Sequence, residues 1–242
     1  MRLGAVKCYA ARVIRPDERQ PLPIPSPEPL QPPLDFAKRL LENGIAVSDE
    51  ALAKIGDYLA RLLAMNEKMN LTAIDEPSVA WERHAFDALT LVPAITRVPA
   101  GGRMIDIGSG GGLPGIPLAI TRPDVRTTLV ESIQKKAAFL SSVATIMGLA
   151  NIDVRAERAE KLAAGPLRGT CDVVTARAVA RLSELLPITA PFAKPGGRLL
   201  LIKGQKAKEE LAEASRIMVK LRTKFVETIA TPTGTVVVLE KQ

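Results

Sequence analysis

The spacing of apolar residues divides the chain into a helical part and a part in which strands alternate with helices. Apolar side chains recur at helical spacing after Asp35, after Ser48, and again from about Pro77 to Leu91. Ser48 precedes two acidic residues, which is typical of a capped helix start. Because these residues carry no alternating strand pattern, we predict an N-terminal helical cap over residues 34–98.

From Arg103 the pattern changes to short apolar runs separated by helical stretches. The runs predict strands at residues 103–107, 127–131, 151–155, 171–176, 197–203, 224–229 and 235–240. Helical spacing predicts helices at residues 135–147, 182–192 and 207–221, whereas only a turn joins the last two strands. Alternating strands and helices predict an α/β domain over residues 99–242, with a mostly parallel sheet covered on both faces and an antiparallel hairpin at its edge.

Residues 1–33 differ from the rest of the chain in their proline content. Eight of the 19 prolines lie between Pro16 and Pro33. Each proline lacks an N–H donor and restricts the residue before it, so this segment cannot be helical. We predict a disordered proline-rich leader, which is either dispensable or a recognition segment for a partner domain.

A glycine-rich turn follows the first predicted strand and has two possible registers. Glycine lets a ligand approach the backbone, so the turn predicts a nucleotide-like ligand. Gly110, Gly112 and Gly115 match the dinucleotide fingerprint, but that fingerprint should begin directly at the strand end. Asp106 followed by Gly108 and Gly110 begins there, and it resembles motif I of class I S-adenosylmethionine (SAM) methyltransferases. Asp106 is expected to serve the positive charge of SAM directly or through water.

Two further features bear on the cofactor. Glu131 ends the second predicted strand, where a carboxylate can accept both hydroxyls of a ribose, in either an NAD or a SAM site. The turn at residues 194–198 and the terminal hairpin resemble the class I SAM-dependent methyltransferases, a Rossmann-like fold whose sheet order is 3-2-1-4-5-7-6. An NAD(P)-dependent oxidoreductase of Rossmann type is the alternative.

The residues around the fourth predicted strand exclude two kinds of methyl acceptor. Residues 175–179 lack the Asp/Asn-Pro-Pro-aromatic motif of methyltransferases that act on exocyclic amines. Cys171 lies at the start of the strand, away from the crevice, which argues against a cysteine nucleophile for C5 methylation. Guanine N7 has a free lone pair, so its methylation needs proximity and alignment but no base.

Five segments together form a distinctive set. They are Asn70-Leu71-Thr72, Arg83-His84-x-x-Asp87, residues 106–117 with their Leu-Pro-Gly-Ile-Pro end, Arg177-Ala178, and Lys203-Gly204-Gln205. From about residue 35 to the C-terminus the chain resembles the RsmG (GidB) family of bacterial small-subunit ribosomal RNA methyltransferases. The resemblance implies SAM as cofactor and N7 methylation of one guanine in 16S ribosomal RNA near the decoding region. The proline-rich leader lies outside the family pattern.

The resemblance also implies site residues. It places SAM contacts at Gly108, Leu113, Ala159, Glu160 and Arg177. As a fixed cation, however, Arg177 is expected to hold RNA phosphate or to orient the guanine rather than to bind a cationic cofactor.

Three other positions are expected to face the substrate. Asn70 begins a segment that caps or folds over the cofactor crevice, and the single histidine, His84, is expected near the substrate mouth. Lys203 ends the fifth predicted strand and is expected to meet RNA phosphate.

Composition limits the class of protein. The net charge of +7 favours a polyanionic partner such as nucleic acid, and the resemblance implies that this partner is 16S ribosomal RNA or the small ribosomal subunit. Two distant cysteines and one histidine exclude a zinc site and indicate a reducing compartment. No stretch is long and apolar enough for a membrane span, and the N-terminus lacks a secretory signal. We therefore expect a cytoplasmic monomer. A non-catalytic RNA-binding protein is the third hypothesis, and the presence of Asp106, Gly108 and Gly110 argues against it.

Overall fold

The structure of the protein, a computed structural model, describes residues 22–177 and 180–242. The α-helices are α1 (Phe36–Glu42), α2 (Asp49–Met69), α3 (Pro77–Ala80), α4 (Asp87–Leu89), α5 (Val92–Ile95), α6 (Gly115–Thr121), α7 (Gln134–Ile146), α8 (Ala159–Leu162), α9 (Leu182–Thr189), α10 (Ala207–Glu213) and α11 (Ser215–Lys220). A π-helical turn at Trp81–Phe86 joins α3 to α4, and a 3₁₀ turn at Ala190–Phe192 follows α9.

One seven-stranded sheet runs through the protein. Its strands are β1 (Arg103–Ile107), β2 (Arg126–Val130), β3 (Ile152–Arg155), β4 (Cys171–Arg177), β5 (Ala193–Lys203), β6 (Thr223–Thr231) and β7 (Gly234–Lys241). The order is β3-β2-β1-β4-β5-β7-β6, with β1 to β5 parallel and β7 antiparallel to both of its neighbours. The predicted α/β fold class and strand order are confirmed.

The observed elements differ most clearly from the predicted ones in three places. β5 begins at Ala193 instead of Gly197, because Ala193 already pairs with Cys171 before a register shift in the ladder. The predicted helix over residues 207–221 is two helices, α10 and α11, that meet at Ala214. The predicted third helix contains the π-helical turn, which periodicity of 3.6 residues does not reveal.

Alternating residues of the central strands face two separate layers of the core. Met104 contributes to the layer formed with the N-terminal helices, α6 and α7, whereas Ile105 contributes to the layer under α8 to α11. Val173 and Val174 divide in the same way on β4. The central strands are therefore covered on both faces, as a parallel sheet requires.

The N-terminal helices share the hydrophobic core of the sheet. Helix α2 contacts α6 and α7, and its apolar face is continuous with theirs. Phe36 of α1 lies edge-on to Trp81 and Phe86, with ring centroids 4.9 and 5.7 Å apart. Because the core is continuous, the boundary at residue 98 stays a prediction made from the sequence pattern.

Residues 22–33 form an extended segment that lies against α2 and α7. The Leu22 amide donates to Ser142 Oγ at 2.8 Å, and the Leu30 amide donates to the Gly56 carbonyl oxygen at 3.2 Å. Leu22, Ile24 and Leu30 contact the core. The prediction of a disordered leader is therefore wrong for residues 22–33, because their apolar side chains find a groove that the sequence pattern does not show. The rest of that leader, residues 1–21, lies outside the described residues.

Over residues 22–177 and 180–242, no helix is both long and apolar enough to span a membrane.

Candidate active site

The glycine turn after β1 lies at the carboxyl ends of the parallel strands, where ligands of open α/β sheets bind. Gly108 has a φ of +72°, and a Cβ built on it would meet no atom within 4 Å. A Cβ on Gly112, by contrast, would lie 2.5 Å from Ile116 Cδ1. Gly112 is therefore required for packing, whereas Gly108 borders open space in the crevice.

Backbone amides of the turn bond within the protein. The amides of Gly108 and Ser109 donate to the Val130 carbonyl oxygen at 2.9 and 3.0 Å. The amide of Gly110 donates to Glu131 Oε2 at 2.9 Å. The amides of Gly112 and Leu113 donate to the Ser109 carbonyl oxygen at 2.7 and 3.1 Å. A phosphate-binding turn needs such amides free to face the ligand. The dinucleotide register is therefore unfavourable here.

Glu131 holds two segments of the crevice together. Its Oε2 accepts from Gly110, and its Oε1 accepts from the amide of Ile133 at 2.7 Å. The residue is buried, so these charge-assisted bonds are poorly screened by water. Each carboxylate oxygen retains a second lone pair with which a ribose hydroxyl can bond.

A cavity of about 180 Å³ opens beside this carboxylate. It is lined by Ile107, Gly108, Val130, Glu131, Ser132, Glu157, Arg158, Ala159 and Glu160. Four of the predicted cofactor residues, at positions 108, 131, 159 and 160, are thus brought together from three strand ends. Larger cavities elsewhere lie away from the carboxyl ends of β1 and β4.

Asp106 does not lie at the lip of the crevice. Its side chain is fully buried, and Oδ1 accepts from Thr175 Oγ1 at 2.8 Å. A Cβ on Gly115 would lie 2.9 Å from Oδ2, so this oxygen faces the first turn of α6. Burial raises the pKa of Asp106 above its ordinary value. The expectation that Asp106 serves the charge of SAM directly is wrong for this arrangement, because the carboxylate lies beneath the turn that it supports.

The side chain of Leu113 is also in the core, where it is 3% exposed. Any contact between this residue and a cofactor has to be made by its backbone.

Arg177, His84 and Thr72 form a chain of contacts at the end of β4. Arg177 Nη1 lies 3.3 Å from His84 Nδ1 and 3.4 Å from the carbonyl oxygen of Arg83. His84 Nε2 lies 2.7 Å from Thr72 Oγ1. Burial lowers the pKa of Arg177, although a guanidinium stays protonated in proteins. Within the described part of the chain, no carboxylate lies at ion-pair distance from Arg177.

His84 is buried with both ring nitrogens engaged inside the protein. Burial, and then the positive charge of Arg177, lower its pKa to about 4. The imidazole is therefore neutral near pH 7. The expectation that His84 lies near the substrate mouth stays a prediction, but both of its ring nitrogens already contact groups of the protein.

The other two predicted substrate residues differ in their exposure. Asn70 is exposed and ends α2 in the left-handed conformation, with a φ of +51°. Lys203 is 4% exposed, its ammonium donates to the Ala180 carbonyl oxygen, and it lies 2.9 Å from Glu210 Oε2. The expectation that Lys203 meets RNA phosphate is therefore wrong, because its charge is buried and paired.

Sequence reasoning missed two residues that shape the crevice. Tyr58 of α2 donates its buried hydroxyl to the Gly111 carbonyl oxygen at 2.8 Å. Asn66 Oδ1 accepts from the amides of Leu71 and Thr72 at 2.8 and 2.9 Å. A tyrosine within the apolar stripe of α2 is a weak signal for a polar contact, because buried tyrosine usually finds a hydrogen-bond partner.

Comparison with known sequences gives a consistent result. The chain matches the GidB family, described as rRNA small subunit methyltransferase G, over residues 51–235. The protein named Ribosomal RNA small subunit methyltransferase G of Sorangium cellulosum is 59% identical over 226 residues, covering 93% of this chain and 95% of that protein. The protein of the same name from Lactococcus lactis (strain IL1403) is 38% identical over 201 residues, covering 82% and 84%. The alignment with the Sorangium protein covers 93% of this chain, so it includes part of the proline-rich residues 1–33. That segment was expected to lie outside the family pattern.

Solved structures share the fold at low sequence identity. A SAM-dependent methyltransferase from Aquifex aeolicus has a TM-score of 0.55 and 17% identity, covering 71% of this chain and 96% of that one. A SAM-dependent O-methyltransferase from Thermotoga maritima has a TM-score of 0.51 and 17% identity, covering 74% and 71%. The fold is that of the class I SAM-dependent methyltransferases, and the chain belongs to the rRNA small subunit methyltransferase G (GidB) family.

Proposed function

We propose that this protein transfers the methyl group of SAM to N7 of a guanine in 16S ribosomal RNA, near the decoding region. Membership of the family supports a ribosomal RNA methyltransferase that uses SAM. The guanine, its N7 atom and its region rest on the resemblance of the motif set. The observation that carries the proposal is the glycine turn, whose amides bond internally beside a cavity lined by carboxylates.

The cavity next to Glu131 fits the adenosine end of SAM. Three carboxylates, those of Glu131, Glu157 and Glu160, line it. Carboxylates accept hydrogen bonds from ribose hydroxyls and repel phosphate. The open space at Gly108 leaves room for the ligand beside the turn. When bound, SAM supplies a methyl group on a positively charged sulfur.

The strand order indicates where the methionine end would lie. β4 is on the opposite side of β1 from β2 and β3. A ligand whose adenosine lies against Glu131 and Ala159 therefore extends across β1 toward Arg177. Arg177 is a partly buried cation, and the methionine carboxylate is an anion that would pair with it. SAM carries this carboxylate in addition to its positively charged sulfur and ammonium groups. We therefore assign Arg177 to the cofactor carboxylate.

Methylation at guanine N7 requires no proton transfer, which agrees with a neutral His84 whose two ring nitrogens are engaged. N7 attacks the methyl group with its own lone pair, and no proton has to be removed. A neutral imidazole with both nitrogens engaged is unsuited to act as a general base. The residues at the end of β4 would therefore orient the reactants. Exposed Arg83 and Asn70 border this region and are the positions that we assign to the RNA side.

We further propose that the protein works in the cytoplasm as a monomer on the small ribosomal subunit. The net charge of +7 supports association with RNA through phosphate contacts.

Borohydride–aniline cleavage, which cuts RNA at N7-methylguanine, tests the proposal. Deletion of the gene should remove one cleavage in 16S ribosomal RNA, and purified protein with SAM should restore it on small-subunit particles from the deletion strain. Particles treated without SAM are the control. Persistence of every N7-methyl mark in the deletion strain would refute the assignment. Calorimetry with SAM and with NAD(P) separates the alternative, because binding of the nicotinamide cofactor alone would indicate an oxidoreductase.

A further inference from the structure

Arg177 is held loosely for a partly buried arginine. Among the described residues, its hydrogen-bonding contacts at 3.3 and 3.4 Å both come from the same nitrogen, Nη1. Contacts of that length lie just beyond the usual range for N–H donors. Among residues 22–177 and 180–242, the structure gives no partner for Nε or Nη2. The direction in which these remaining donors point therefore depends on what fixes Nη1.

The contact with Arg177 favours one tautomer of His84. A guanidinium can only donate, so this contact is a hydrogen bond when His84 Nδ1 is unprotonated and accepts. In a neutral imidazole the proton then lies on Nε2, which donates to Thr72 Oγ1 at 2.7 Å. The low pKa of His84, about 4, agrees with this neutral form.

Thr72 is itself fixed from two sides. Its hydroxyl oxygen accepts from the amide of Ile74 at 3.1 Å, and its own amide donates to Asn66 Oδ1 at 2.9 Å. The hydroxyl therefore sits on a segment that is anchored to the end of α2. This anchoring extends through the imidazole to the end of β4.

We propose that Thr72 and His84 are positioning residues that orient Arg177 toward the carboxylate of the cofactor. His84 offers Nδ1 as the acceptor, and Thr72 holds the ring in the Nε2–H tautomer. The inference rests on the proposed function, specifically on the pairing of Arg177 with the methionine carboxylate. Neither residue touches the cofactor in this scheme.

Binding of two ligands distinguishes a variant that misorients Arg177 from a variant that disturbs the whole crevice. S-adenosylhomocysteine carries the amino-acid carboxylate, whereas 5′-methylthioadenosine has the same nucleoside and sulfur but lacks the amino-acid part. Binding of both to the full chain is measured by calorimetry. A change that acts through Arg177 should affect only the first ligand, and a change that disturbs the pocket should affect both.

Matched variants at each position test the acceptor itself. His84→Asn keeps an acceptor oxygen where Nδ1 lies, while His84→Gln keeps a polar group where Nε2 lies but loses the acceptor. We expect His84→Gln to bind S-adenosylhomocysteine about tenfold more weakly and methylthioadenosine unchanged, since a hydrogen bond to a charged group is of that magnitude. His84→Asn should stay within about threefold of wild type. Thr72→Val should weaken S-adenosylhomocysteine binding, and Thr72→Ser should not.

Three results would overturn the inference while leaving the proposed function intact. They are unchanged binding of S-adenosylhomocysteine by His84→Gln, equal weakening of both ligands, and equal loss in His84→Asn and His84→Gln. If wild-type protein binds neither ligand, the proposed function fails and the inference fails with it. Should His84→Gln not fold, the Thr72→Val and Thr72→Ser pair decides by the same comparison of ligands.

Discussion

Tyr58→Phe removes one oxygen atom from beneath the glycine turn and leaves the ring in place. The hydroxyl donates to the Gly111 carbonyl oxygen at 2.8 Å, and both residues are buried. The structure gives this carbonyl no second donor among the residues that it describes. The variant therefore leaves a buried acceptor without a partner, and it frees the Gly111 peptide to move.

The expected magnitude follows from these contacts. Leaving a buried acceptor unpaired lowers the free energy of unfolding by about 2 kcal/mol. For a chain of this size that corresponds to a fall in Tm of roughly 4–8 °C. Gly110, the neighbouring residue, donates to Glu131, so movement of the peptide also reaches the ribose acceptor. We expect S-adenosylhomocysteine to bind roughly three- to fivefold more weakly, equivalent to about 0.7–1 kcal/mol.

Thermal unfolding and calorimetric titration measure the two effects separately. Thr189→Val is the control, because it also deletes a buried hydroxyl that donates to a carbonyl oxygen, on α9 in the other core layer. The control should lose some stability and keep its affinity for the ligand. If Tyr58→Phe loses stability but binds S-adenosylhomocysteine as tightly as wild type, the turn is held by other bonds and the reasoning is refuted.

Three further predictions concern the crevice, the buried lysine and the histidine. Gly108→Val should abolish SAM binding, measured by calorimetry, by filling the open space at the turn. The control is Gly148→Val, at a glycine with a similar φ of +65° and equally open surroundings, and this variant should still bind SAM. Equal losses in the two variants would assign the effect to backbone strain. Lys203→Met should lower the free energy of unfolding by about 3 kcal/mol, because Glu210 loses its buried partner. The salt dependence of RNA binding by this variant should match that of wild type. If the slope of log affinity against log salt concentration falls by about one unit, Lys203 does contact an RNA phosphate. The pKa of His84 is about 4 when folded and near 6.5 when unfolded, so the unfolded state binds more protons between these values and stability decreases as the pH is lowered. Urea unfolding should show a loss of about 2 kcal/mol from pH 7 to pH 5 that is absent in His84→Asn, and parallel pH profiles of the two proteins would contradict this.

The cofactor residues were predictable to the extent that they follow strand ends. Gly108, Glu131 and Ala159 each lie just beyond a parallel strand, and parallel strands bring their carboxyl ends to one edge. Their proximity therefore follows from the parallel strands together with the sheet order that the resemblance implies. Asp106 and Leu113 lie in the same stretch, but sequence spacing does not say whether a side chain points into the crevice or beneath the turn.

The predictions for charged and polar side chains failed for a different reason. Lys203 ends a strand as predicted, yet Glu210 of α10 covers it and pairs with its charge. The pKa of His84 is lowered first by burial and then by the positive charge of Arg177, which lies 93 positions away in the chain but against its ring. The partner of an ionisable group is a tertiary property, and it decides whether that group meets solvent, ligand or protein.

The sequence by itself determined the alternation of strands and helices, because periodicity is a property of neighbouring residues. Its motifs carried the resemblance from which the strand order and the family were expected. Only the tertiary structure decided which polar groups are free. It showed the turn amides bonded internally, residues 22–33 lying along α2, and Thr72, His84 and Arg177 joined across three elements. These contacts join residues far apart in the chain, and their energies depend on burial, which no local pattern specifies.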